Sequence, residues 1–213
     1  MSDRNPRKTT QKVLLSVTAL AAAAALAGAG TYASFTGSVS ASQSVTSGTM
    51  SLTLPAAGST NRLATPATGF APADSMQRAV DLTVSGDVDM SAITLTTADA
   101  TAPVTILSTD TINGLQITVE RCAVAWTESP TVPAGGFTYM CAAPLSVIAR
   151  TPVVGSARAM NNVLVAAGSV NRLRITIDLP VAAGDTFQNT VASPKTAAIS
   201  HVFNGVQRAG IAK

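Results

Sequence analysis

The chain has 213 residues, with 14 Lys+Arg against 11 Asp+Glu and a formal net charge of +3. Arg4, Arg7, Lys8 and Lys12 crowd the first twelve positions with Asp3 the only acid there, so basic and acidic residues balance from Ser34 onward. A neutral body excludes a nucleic-acid binder that works through a basic face, and 12% charged residues excludes charge-driven disorder.

Residues 1–33 read as an export leader. A polar, basic start is followed by an uncharged run, VLLSVTALAAAAALAGAGTYA, from Val13 to Ala33. Basic start, apolar middle and small residues at the end make a secretory signal. A retained membrane anchor is the rival reading; nine of the 21 residues are Ala and only six are Val or Leu, so its drive to stay in lipid is weak. The cut is expected between Ala33 and Ser34, with Ala29 the competing position.

Residues 34–48 form the next segment. Even positions from 34 to 46 are all Ser or Thr, while Phe35, Val39, Ala41 and Val45 supply an apolar face on the odd positions. This is a period-2 strand that ends at Ser47-Gly48. Residues 49–213 then read as one antiparallel β-sandwich domain. Its alternating runs are Met50, Leu52, Leu54; Val80, Leu82, Val84; Leu115, Ile117, Val119, continuing through Cys122, Val124 and Trp126 after a bulge; Phe137, Tyr139, Cys141; Leu173, Ile175, Ile177, Leu179; and a last one around residues 199–203. Gly and Pro punctuate between them. Residues 75–79 and 155–161 could each hold a helical turn, although neither shows a sustained 3.6 period, and Asn113-Gly114 and Asn204-Gly205 read as turns.

Cys122 and Cys141 are the only cysteines. In an exported chain they are expected to pair, linking neighbouring strands and stabilising the fold by about 3 kcal/mol; two buried free thiols are the alternative. Catalytic patterns are missing: the one histidine, His201, stands among apolar residues, and no HExxH, GxSxG or P-loop occurs. Asp87 and Asp89 read as a solvated turn, and Arg172 and Arg174 as the wet face of a strand. No catalytic residue, metal site or cofactor is expected.

The order of elements carries a resemblance. Gly30-Thr31-Tyr32-Ala33, then Ser34-Phe35-Thr36, then Ser47-Gly48-Thr49-Met50-Ser51-Leu52, closely resembles the start of the TasA/camelysin (CalY) family of exported biofilm-matrix proteins. Phe70-Ala71-Pro72-Ala73-Asp74-Ser75 is similar to a family turn in which Gly is usual at the position of Ala73. Leu179-Pro180, Ala183-Gly184-Asp185, Phe187-Gln188 and the end of the chain from Phe203 to Gly210 are similar to its later blocks. The cysteine pair is not a family-wide feature, and the metalloprotease activity linked to the family is not carried over, because no zinc motif is recognisable.

The resemblance implies a jelly-roll sandwich, a leader cut by a SipW-type signal peptidase, membrane attachment only through the uncut leader, and secretion to the cell surface or biofilm matrix. It also implies self-assembly into homopolymeric fibres, in which the freed N-terminal segment completes a sheet of the next subunit. Phe35, Val39, Ala41 and Val45 would be the buried positions of that donor strand. Pairing of the same strand within its own subunit uses the same pattern. The alternative functions are a monomeric carbohydrate- or surface-binding module and a membrane-tethered surface protein.

Overall fold

The computed structural model describes residues 47–64, 70–131, 136–181 and 196–210. These belong to a compact unit, Ser47–Lys213. Ten strands and one short helix are described: β1 (Met50–Thr53), β2 (Ser75–Gly86), β3 (Met90–Asp99), α1 (Ile106–Thr109), β4 (Gln116–Cys122), β5 (Thr127–Thr131), β6 (Gly136–Met140), β7 (Leu145–Pro152), β8 (Gly155–Ala159), β9 (Val170–Asp178) and β10 (Ile199–Gln207). The fold is all-β, and every strand pair is antiparallel.

A five-stranded sheet has the order β1-β2-β9-β4-β7, and a three-stranded sheet has the order β10-β3-β8. Period-2 patterning decides which face each strand buries. Val80, Leu82 and Val84 of β2, Ile117 and Val119 of β4, and Leu173, Ile175 and Ile177 of β9 point one way, and Ile93 and Leu95 of β3 meet them from the other sheet in a single core. Register keeps these rows together: Val80 lies opposite Leu173, and Ile175 opposite Val119. Burying a side chain of this kind contributes roughly 1.5–3 kcal/mol, so the alternating rows dominate the stability of the body.

Several local expectations are overturned. Residues 75–79 open β2, paired with the end of β9 from Ser75 opposite Asp178, and residues 155–159 are β8, paired with β3. Neither forms a helical turn, because ladder bonds to a neighbour outweigh weak local propensity. Asn204-Gly205 lies inside β10, with Gly205 opposite Ile93. A Cβ at Gly205 would stand 2.5 Å from the Met90 sulfur, so the glycine permits close packing rather than reversal. Asn113-Gly114 does turn: the Asp110 carboxylate accepts the Ile112 and Asn113 N–H groups at 2.9 and 2.8 Å, and a Cβ on Gly114 would meet the Asp110 carbonyl oxygen at 2.3 Å. β4 ends at Cys122, so Val124 and Trp126 do not continue it.

β3, β7 and β8 were not legible as alternating runs. In β3 the third inward residue is Thr97, whose hydroxyl donates to the Val153 carbonyl. In β7, Val147 and Ile148 are both buried where the pairing with β4 shifts register, which breaks the period. β8 carries no large apolar residue.

Candidate functional site

The positions singled out for processing and assembly, Ala33, Ser34, Phe35, Val39, Ala41 and Val45, lie outside the described residues. What is described is the place where their segment joins the body. Thr49 is clasped by Asp87: its N–H and hydroxyl donate to Oδ1 at 2.5 and 3.2 Å, and its carbonyl accepts the Asp87 N–H at 3.1 Å. Gly48 runs against Val88, whose Cγ2 lies 2.0 Å from where a Cβ would stand. Asp87 therefore anchors the start of β1. Asp89 instead accepts the Ala167 N–H at 2.8 Å, so the two acids serve different loops.

The two long sides of the sandwich differ. On one side β7 runs through Val153 and Val154 into β8, and Arg158 staples that crossing by donating to the carbonyls of Pro152 (2.5 Å) and Val154 (2.6 Å). On the other side stand β1, the end of one sheet, and β10, the end of the other. They approach each other: Leu52 Cδ1 lies 3.6 Å from the Cβ position of Gly205. Met50, Leu52, Ile199 and Phe203 pack on the core there but are only partly buried. His201 also points inward from β10; its Nε2 is buried and has no hydrogen-bond partner. Burial pushes the His201 pKa from an ordinary 6.5 down to about 4.

A third feature is the hairpin of β5 and β6, docked beside β2, β4 and β9. Arg62 grips Glu128 with two hydrogen bonds, at 3.1 and 2.7 Å, and stacks 4.5 Å from the Phe137 ring centre. The Tyr139 hydroxyl donates to the same carboxylate at 2.8 Å. Arg62 first, then Tyr139, holds Glu128 below the usual carboxylate range, although partial burial opposes them. Burial, then the Glu128 hydrogen bond, pushes Tyr139 up to about 12. Arg174 is bonded to Glu120, donates to the Tyr139 carbonyl at 2.8 Å and lies 4.7 Å from the Trp126 ring centre. It is thus covered by the hairpin rather than solvated, contrary to the sequence reading. Cys122 and Cys141 form a disulfide, with Cα atoms 6.1 Å apart. It joins the end of β4 to the residue after β6, and so pins the hairpin to the main sheet rather than bridging two strands of one sheet.

This clamp was hidden in the sequence, because its partners are as far apart as Arg62 and Glu128. It also occupies the aromatic side chains a sugar-binding module would display: Trp126 lies beneath Arg174, Phe137 beneath Arg62, and Tyr139 is buried.

Residues 8–131 match the protein family described as camelysin metallo-endopeptidase. The chain belongs to the camelysin family. A search of the curated proteins finds no match to it. Camelysins are exported, surface-associated proteins, and among the described residues no helix is long and apolar enough to cross a membrane. The peptidase description asks for a metal, and the described residues do not fit one. The chain has a single histidine, both cysteine sulfurs are bonded to each other, and among the described residues no three His, Cys, Asp or Glu side chains gather into a metal-binding group. A catalytic zinc needs three protein ligands and an open position.

Proposed function

We propose that this camelysin is a secreted structural subunit that polymerises into extracellular matrix fibres, using the segment freed by leader cleavage as a donor strand. The observation that carries the reading is the side of the sandwich where, among the described residues, both sheets end. Two edge strands, β1 and β10, stand together there over partly buried apolar residues. Unpaired strand edges are templates for another strand. The chain offers such a strand in residues 34–45, which are uncharged, with Phe35, Val39, Ala41 and Val45 on one face. While the leader holds that segment at the membrane it cannot reach a neighbour, so cleavage by a signal peptidase of the SipW type licenses assembly.

The test is the N-terminus and morphology of the secreted protein. A mature chain beginning at Ser34 that forms fibres in electron micrographs is expected. A start at Gly30, an intact leader, or a Ser34 chain that stays monomeric at high concentration overturns the reading.

A further inference from the structure

We infer that Cys141 is a site of reversible thiolation: a small thiol displaces Cys122 from the bridge, forms a mixed disulfide with Cys141 and frees the β5–β6 hairpin from the body. The inference stands apart from the assembly reading and rests on the bridge and its surroundings alone.

The two sulfurs of the bridge are unequally open to solvent. Cys122 is 2% exposed. Cys141 is partly exposed and stands between exposed Met140 and Ala142. Register explains the difference. Cys122 lies opposite Arg172 of β9, and Glu120 lies opposite Arg174, so all four side chains share the outer face of the five-stranded sheet. On that face Arg174 meets Trp126 and the Tyr139 carbonyl, which places Cys122 under the docked hairpin. Cys141 follows β6 and stands at the rim. Exchange proceeds by attack of a thiolate on one disulfide sulfur, and access decides which sulfur is attacked.

The step balances with a thiol as its one co-reactant. The entering thiolate bonds to the Cys141 sulfur, the bond between the two cysteines breaks, and Cys122 leaves as a thiolate that takes up a proton. A thiolate leaves faster where a neighbouring cation stabilises it. Arg172 is that cation. It is the cross-strand neighbour of Cys122, and its guanidinium is held there by donating to the Ala123 carbonyl at 3.3 Å. Return uses the same chemistry: Cys122 attacks Cys141 and expels the small thiol, which makes the modification a reversible cap.

Opening the bridge frees the hairpin because its other attachments are side-chain contacts. Among the described residues β5 and β6 pair with each other alone, and no member of the core cluster lies between residues 123 and 144. What remains is the Arg62–Glu128 pair, the Arg174 bond to the Tyr139 carbonyl, the Trp126 bond to the Arg172 carbonyl, and the Tyr139 N–H donating to Gln77 Oε1 at 2.9 Å. Contacts of this kind are individually weak, and a unit held by them opens locally while the ladders beside it stay closed. Release uncovers Arg172 and Arg174 on the outer face of β9.

Glutathione offered to the dilute, oxidised, folded protein tests the site, with thiols blocked by iodoacetamide before peptide mass analysis. Glutathione on Cys141 with the alkyl label on Cys122 should exceed the reverse arrangement by at least about tenfold. Uncharged 2-mercaptoethanol should show the same preference. Adducts shared equally, adducts led by Cys122, or none at thiol concentrations that leave β4 and β9 protected overturn the assignment. In the thiolated protein the Tyr139 amide should exchange at least about tenfold faster, while the ladder amides of β4 and β9 keep their rates. An unchanged Tyr139 rate, or an equal rise in β4 and β9, overturns the release of the hairpin. Arg172→Gln should slow thiol entry by about threefold or more with the Cys141 preference kept; an unchanged rate counts against the part given to Arg172.

Discussion

Ala73 sits at φ +78° on an exposed turn between Phe70 and β2, with its N–H donating to the Leu179 carbonyl at 2.9 Å. That region disfavours any residue with a Cβ. Ala73→Gly should stabilise the chain by about 1 kcal/mol, read as a higher urea midpoint at unchanged m-value. His201 gives a second residue-level expectation. Its folded pKa of about 4 lies below the ordinary 6.5 of an unfolded histidine, so the unfolded state binds the extra proton. Stability is then full above pH 6.5 and falls as pH drops toward 4, by roughly 2 kcal/mol once the partial exposure of the ring is allowed for. His201→Leu should flatten the urea midpoint across that window; an unchanged slope would place the ring in water. Both residues were visible in the sequence, one as a departure from a turn pattern and one as a lone histidine among apolar neighbours. The sign of Ala73's φ and the burial of one ring nitrogen were not, since each is fixed by distant chain.

At the scale of elements, the strands legible in the sequence were those with three or more large apolar residues in strict alternation, β2, β4 and β9 above all. Strands stabilised by hydroxyl or arginine hydrogen bonds to neighbouring carbonyls, β3 and β8, left no periodic trace. Of the β5–β6 hairpin only the alternating run of Phe137, Tyr139 and Cys141 was legible; its clamp of Arg62, Glu128, Tyr139 and Arg174 was not. Replacing Cys122 and Cys141 together by serine should lower stability by about 3 kcal/mol. Faster amide exchange should be confined to residues 127–131 and 136–140, while β2, β4 and β9 keep their protection. Uniform loss across the sandwich would show that the bridge holds the core rather than the hairpin.

At the scale of the whole molecule, among the described residues β7 runs into β8 on one side of the sandwich, and on the other β1 and β10 end their sheets with no further strand beside them. Near-neutral charge from Ser34 onward reduces repulsion between copies, and assembly should depend little on salt. Deleting residues 34–45 should leave a folded, soluble monomer that forms no fibres; fibres from the truncated chain, or failure to fold, would return that strand to its own subunit. Val39→Asp should block assembly, because an unpaired carboxylate on a buried face costs several kcal/mol, while Ser40→Asp on the opposite face should cost less. The fold class and the uncharged alternating segment could be read from the chain alone. Which strands end the two sheets could not, because it depends on the order in which distant strands pair.

The chain contains one tryptophan, and it stands at the joint between hairpin and sheet. Trp126 donates its indole N–H to the Arg172 carbonyl at 3.0 Å beneath the Arg174 guanidinium. Its emission is therefore an optical gauge of that joint alone: undocking the hairpin would wet the indole and shift its fluorescence to the red while the core remained packed. A reducing agent titrated into the native protein should move that colour before far-ultraviolet circular dichroism registers any loss of strand.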